Sequence, residues 1–519
     1  MKDEIAVSRT GTAKDRAELF DYILAATLRR EAGAPHKRSL FNLDHERDMS
    51  RWRDEMIAAD SDEDLFYALH KISNARHDRH LSVEPVEGGI AFPATFHDSI
   101  IGVYSDPRGQ NAPQAPLRLS TDFSDRKNPR LFLADVPTNF ATLAPGQRIP
   151  ERGAWLTSIN GLPLATYLEK IDPYFCYSTP AFFWYHLGTE VVRKTALLPA
   201  SFYGKTLDLG FEGRDGKALS LCLPYVDRGG LDWTLDAVQR YDGFEKRYGV
   251  QSYDLYVDRT RKVVALNWHG FGKELIADMD RLMATAAKEK LLDYDLIFDG
   301  TRSRGGDFGG YALTRLSPKP YKGTFGNLRI SDVTERLAYG LLAEDAARIA
   351  GGNVHPDVAN EVAWRREWIA TDLTQAIRTG KRYSNNVPFK SVHKPKWSDG
   401  VIEPAPVHFR GRMVCLFGPF GGSHIDQFAA NVVDNNLCTA IGMPQGGFSK
   451  TWVWEEALKF PRTGQPVATF MWNCGNTLRP NGEVLESNPA EVHEFIPPTR
   501  DNYGRYHAML VERALTLLA

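Results

Sequence analysis

One serine in this sequence stands where a nucleophile can work. Met413 to Val433 (MVCLFGPFGGSHIDQFAANVV) reads as a buried strand, a glycine-rich turn and a helix opening at Ser423. A hydroxyl at such a turn is exposed, and the first N–H groups of the helix lie beside it, ready to hold an oxyanion. The same position suits a plain helix N-cap, for which serine is favoured, so local sequence leaves both roles open. A second strand-end turn, Asp299 to Gly306 (DGTRSRGG), lets backbone approach a ligand closely at Gly305 and Gly306. It is either a further oxyanion donor or a loop with no ligand. Proton transfer needs a base. His80, in Asp78-Arg79-His80 before the short β-type run Leu81-Ser82-Val83, has a side chain that titrates near neutrality. Fourteen histidines are present, and most must be surface or satisfied core residues. His70, His77 and His80 lack the carboxylate spacing of a metal motif such as H-E-x-x-H, so neither metal nor cofactor is expected.

These groups need a scaffold, and 519 residues suggest two to four structural units. Residues 1–90 read as a helical region. Ala17 to Arg30 puts Leu19, Phe20, Ile23, Leu24 and Leu28 on one face, and Ser61 can cap a second helix carrying Leu65, Leu69 and Ile72. Residues 91–235 read as a β-rich unit. Short runs at Ile100–Tyr104, Arg130–Ala134, Leu207–Phe211 and Leu219–Leu223 alternate with Pro and Gly, and Trp155 to Ile171 reads strand, Asn-Gly turn, helix. Residues 250–519 alternate strand and helix, with a helical insertion at 331–385, which implies a βαβ core with right-handed crossovers. The aromatic stretch Tyr174 to Tyr185, with Trp452 and Trp454, suits either an apolar substrate cleft or core packing.

Composition excludes several classes. With 63 basic against 65 acidic residues, the net charge of -2 argues against a dedicated nucleic-acid binder. No apolar run approaches a membrane span, and no signal peptide is visible at the start. That leaves a cytoplasmic protein or an exported one whose leader has been removed. Five scattered cysteines without C-x-x-C fit reduced thiols better than a disulfide framework.

Taken together, these segments resemble the C-terminal processing peptidase family (S41) of serine proteases. Residues 65 to 83 (LFYALHKISNARHDRHLSV) are similar to its helix ending in D-x-H, and 153 to 171 to the end of its PDZ-like domain. LIFDGTRSRGG at 296–306 resembles "L-I-I-D-L-R-x-N-x-G-G", with Thr301 and Ser303 replacing Arg and Asn. Ser423 to Ala429 resembles the nucleophile motif, with Ile441-Gly442 to Gly447 as the turn after it, and 477 to 493 resembles a late acidic motif. The resemblance implies an α/β fold with a ClpP/crotonase-like ββα core, an N-terminal helical segment and an inserted β-rich PDZ-like domain.

The family has a Ser–Lys design and a Ser–His–Glu design, the latter in tricorn-core and CPAF-like proteases. Phe448 falls where the Lys would be, and Lys450 is two residues late, so the histidine design is the one met. The resemblance implies Ser423 as nucleophile, His80 as base and Glu486 as its support, with Glu483 the competing acid. It gives the oxyanion hole to the N–H of His424 and of Gly305 or Gly306. The implied partner is a polypeptide or peptide-like substrate, and a homo-oligomer stays open. A non-peptidase acyl or ester hydrolase and a catalytically silent ligand-binding protein are the alternatives. The insertion 331–385 is a candidate lid.

Overall fold

The structure is a computed structural model that describes residues 9–93, 112–233, 241–352, 354, 356–388, 400–449 and 452–519. The expected strand at Ile100–Tyr104 and the residue Lys450 lie outside the described residues.

The N-terminal helices form where the apolar spacing predicts them. Helix α1 (Ala13–Arg30) starts at Thr12 with a reciprocal capping box to Asp15 and buries Leu19, Phe20 and Ile23. A short helix, α2 (Ala34–Phe41), follows, and α3 (Asp62–Asn74) is capped by Ser61, whose Oγ accepts the Asp64 N–H at 3.1 Å. Leu65, Leu69 and Ile72 of α3 are fully buried. The chain then turns through Asp78 into a two-residue strand, Val83–Glu84, paired with Pro466–Asn473.

Residues 118–224 build an antiparallel sheet. Its strands β1 (Arg118–Asp122), β2 (Arg130–Asp135), β3 (Trp155–Ile159), β4 (Thr206–Glu212) and β5 (Ala218–Pro224) are neighbours in that order, and Leu162–Pro163 pairs with β3. Alternation buries Leu207, Leu209 and Phe211 on one face of β4. The fading of helical periodicity across this region hides one long helix, α4 (Pro180–Val191). Thr179 caps it and Pro180 opens it, a standard start signal, but its aromatics run all round the helix rather than on one face. Of the aromatic stretch, Tyr174, Phe182 and Phe183 are buried in the core, and Trp452 stacks on Trp368, so packing is the main role of these rings.

The βαβ expectation holds in the second half. A seven-stranded sheet contains β6 (Glu245–Gly249), β7 (Tyr253–Asp258), β8 (Val263–Trp268), β9 (Asp295–Asp299), β10 (Met413–Phe417), β11 (Thr439–Gly442) and β12 (Glu494–Phe495), adjacent in that order. The strands from β8 to β12 run parallel, while β6 to β8 pair antiparallel. Helix α5 (Leu275–Lys288) crosses from β8 to β9, and α6 (Gly309–Leu316) follows β9. Helix α7 (His424–Asp434) joins β10 to β11, and the final helix, α8 (Tyr506–Leu518), packs against β9, β10 and β11. Strand β10 is buried at every position, as a central parallel strand must be. The insertion is helical at Thr334–Ala350, Pro356–Trp368 and Thr374–Arg378. Among the described residues no helix is long and apolar enough to cross a membrane.

Candidate active site

The carboxyl ends of β9 and β10 carry the two glycine-rich turns side by side. Ser423 ends the second turn at φ 65°, ψ −121°, a conformation that disfavours any residue with a Cβ. It stands at the N-cap position, yet its side chain makes no capping hydrogen bond. The plain N-cap role is therefore not the one its hydroxyl plays. Holding a serine there costs on the order of 1–3 kcal/mol and must be enforced from outside. The enforcement is visible. The Ser423 N–H donates to the Phe448 carbonyl at 2.5 Å, and the Gly446 N–H donates to Gly421 O at 2.8 Å. Buried Asp426, one turn into α7, accepts the N–H groups of Gly447 and Phe448, both at 3.1 Å. Burial raises that carboxyl well above its ordinary range, against the N–H groups it accepts.

Gly305 lies directly against the serine. A Cβ on Gly305 would sit 2.6 Å from Ser423 Cβ and 3.1 Å from its Oγ. Gly306 has φ 140°, and a Cβ there would come within 1.9 Å of Phe271 O. The segment 269–271 pins this turn: Arg304 N–H donates to His269 O at 2.9 Å, and Phe271 N–H to Gly305 O at 3.2 Å. His424, first residue of α7, is buried, and its Nε2 accepts the Gly309 N–H at 2.6 Å. Its ring is thus a packing group. Its backbone N–H is among the first of the helix, which have no intrahelical partner.

His80 reaches the same place from the N-terminal region. Its ring packs edge-on against Phe448 with centroids 5.1 Å apart, and Phe448 lies on Gly422, next to Ser423. Phe448 thus stands between the His80 ring and the turn that carries Ser423. Behind His80 is a buried ionic cluster. One ligand-type atom each of His80, Asp78 and Glu486 lie within 4.8 Å of one another. The ammonium of Lys37, from α2, stands 3.4 Å from both carboxyl groups and donates to the carbonyls of Arg76 at 3.1 Å and His77 at 2.8 Å. Lys37 supplies at this point the positive charge that a bound cation would bring. Glu483 is instead at the surface, paired with Arg479. His70 bonds the Tyr174 carbonyl, and His77 packs on Tyr177, so neither joins the cluster.

The two acids differ in charge state. Burial raises both, but the nearby Lys37 and His80 outweigh it at Asp78, which stays below the ordinary carboxylate range. Glu486 is pushed up to about 8 by burial and by the Asp78 charge, against Lys37 and the Ser449 N–H at 2.8 Å. Two predictions arise here. Between its ordinary 4.5 and about 8, folded Glu486 holds a proton that the unfolded chain has released, so stability falls as pH rises through that window. Glu486→Gln removes that dependence. Thermal melts from about pH 5 to about pH 9 are expected to show the wild-type Tm falling relative to the variant; parallel curves contradict the assignment. Lys37→Met strands the Asp78 charge and costs about 3–5 kcal/mol in urea unfolding; a change below about 1 kcal/mol contradicts the cluster.

A second Asp–His pair braces the first turn from the opposite side of the sheet. Asp299, at the end of β9, accepts from His507 Nε2 at 2.6 Å, from Thr301 Oγ1 at 2.6 Å, from Thr301 N–H at 3.0 Å and from the Tyr241 hydroxyl. Thr301, which departs from the family pattern, is thus built into the brace. Lys37, Asp426 and His507 carry no local sequence signal, since each meets its partner only across the fold. Asp78 stood in the quoted D-x-H segment.

A serine hydroxyl at a strained turn, with an imidazole across Phe448 and backbone donors at a helix start, is the equipment of acyl transfer. No protein-family model matches the sequence, and a search of curated proteins finds no relative. Solved structures do match. Mature CPAF aligns over 97% of this chain and 97% of its own, at 13% identity and a TM-score of 0.67. CPAF complexed with lactacystin aligns over 97% and 98% at 13% identity and a TM-score of 0.66. A CPAF mutant aligns over 98% and 97%, again at 13% identity and 0.66. Over nearly its whole length, this chain has the fold of mature CPAF.

Proposed function

We propose that the protein is a serine peptidase of the S41 type, with Ser423 as nucleophile. The observation that carries this reading is the strained, non-capping serine held against Gly305, in a chain with the fold of CPAF. In this mechanism Ser423 Oγ attacks the substrate carbonyl while His80 takes its proton and later returns it to the leaving amine. The N–H groups of His424 and of Gly305 or Gly306 receive the oxyanion. Asp78 supplies the fixed negative charge behind His80, and Glu486, with Lys37, holds the imidazole in place. On this reading residues 250–519 form the ClpP/crotonase-like core, 91–235 the PDZ-like insert and 1–90 the helical region that delivers His80.

The test is turnover. Incubation with an unstructured peptide library, read by mass spectrometry, is expected to yield defined cleavage products and acyl transfer to the serine. Efficient hydrolysis of an ester panel with no peptide cleaved would replace the peptidase by an acyl hydrolase.

A further inference from the structure

We infer that the cavity between α4, the edge strand β1 and the start of α8 is a side-chain pocket of the substrate site. It selects peptides carrying a large aromatic or aliphatic residue one to three positions from the cleaved bond. This rests on the peptidase reading above. The cavity has a volume of about 440 Å³, within the range of ligand sites. Two of its walls are the loops that bear the proposed chemistry. Gly418-Pro419-Phe420 leads into Ser423 three residues later, and Thr301-Arg302 leads into Gly305.

The lining states the preference. Tyr185, Phe420, Tyr503 and Tyr506 all contribute to the lining, each half-buried. Tyr185 and Phe420 meet edge to face with centroids 6.2 Å apart. Several polar groups of the wall already have protein partners. His507 Nε2 is bonded to Asp299 at 2.6 Å, His186 Nε2 to Phe420 O at 3.0 Å, and the Tyr506 hydroxyl to Ile496 O at 2.9 Å. The lining also includes the charged Asp242, Arg302, Arg505 and Glu512, and it is at the four aromatic rings that an apolar side chain gains surface by entering.

The position along the substrate follows from helix geometry. Phe182 of α4 packs on Phe448, whose carbonyl holds the Ser423 N–H. Tyr185 and Thr189, further along the same helix, line the cavity. At a rise of about 1.5 Å per residue they lie roughly 4.5 and 10.5 Å beyond Phe182. An extended peptide advances about 3.3 Å per residue, so a substrate laid along α4 from the Ser423 turn would place its first to third residue from the bond at the pocket.

The experiment uses full-length protein and two variants outside the proposed chemistry. Thr189 is exposed on the cavity wall, and Thr189→Trp fills the space; Tyr185→Ala removes an aromatic wall. Rates are read as kcat/KM on peptides varied at three positions either side of the bond, with fluorophosphonate labelling of Ser423 as control. Thr189→Trp is expected to lower kcat/KM for Phe, Trp and Leu peptides at one position by about 10-fold or more. Ala and Ser peptides stay within about 2-fold, and labelling is unchanged. Tyr185→Ala flattens the preference at that same position. Wild-type profiles in both variants, or equal loss on every peptide, overturn the pocket alone. Labelling of wild-type Ser423 without cleavage of any peptide overturns the peptidase reading and the pocket with it.

Discussion

Ser423→Ala is expected to abolish turnover, by at least about 10⁴-fold in kcat, while leaving the fold intact. The alanine keeps the Cβ and the strained backbone and loses only the hydroxyl, which makes no capping bond in the structure. Ser423→Gly separates strain from chemistry. It is equally inactive, yet φ 65°, ψ −121° is a region glycine adopts freely. Removing the strain is expected to raise stability by about 1–3 kcal/mol, less the extra chain entropy that glycine brings. A variant that is inactive and more stable than wild type is the signature of backbone energy held at a working site. If Ser423→Gly is less stable than Ser423→Ala, the strained turn is not what positions the hydroxyl. Peptide cleavage measures the first effect and urea unfolding the second.

Gly305→Ala is the next largest effect. The new methyl would fall 2.6 Å from Ser423 Cβ and 2.8 Å from Gly422 O. Neither contact is tolerable, and both involve the turn that carries the nucleophile. The turn cannot retreat cheaply, because the Ser423 N–H is tied to Phe448 and the Gly421 carbonyl to Gly446. Relief comes from moving serine and oxyanion donor apart. A displacement of about 1 Å costs on the order of 10²-fold in rate, and overpacking costs about 1–3 kcal/mol in stability. A fluorophosphonate labelling rate within about 3-fold of wild type would show that Gly305 does not share the site with Ser423.

Elements with a strong local signal were legible in the sequence. The apolar face of α1, the Ser61 cap of α3 and the buried run of β10 each declare their state within a dozen residues. Helix α4 did not, because aromatic residues distributed all round it erase the one-sided pattern. The candidate site divides the same way. Ser423, Gly305 and Gly306 stand in glycine-rich strand-end turns that a reader can find, and His80 and Glu486 come from motif order. The charge balance behind His80 is a property of the fold. Lys37, Asp78 and Glu486 are separated by 41 and 408 positions in sequence, as their numbers show, and only packing reveals that one ammonium stands beside both carboxyl groups. Asp299 and His507 were likewise invisible as a pair, being contributed by β9 and α8.

The central claim is that Ser423 is a nucleophile activated by His80. Its most direct test is reaction of the whole protein with a fluorophosphonate, followed by trypsin digestion and fragmentation. Residues 413–450 form one tryptic peptide, since no Lys or Arg lies between Arg412 and Lys450. The account predicts a single phosphonyl adduct on Ser423 of that peptide, formed about 10²–10⁴-fold more slowly in His80→Ala. An adduct on another serine, or an undiminished rate in folded His80→Ala, contradicts it.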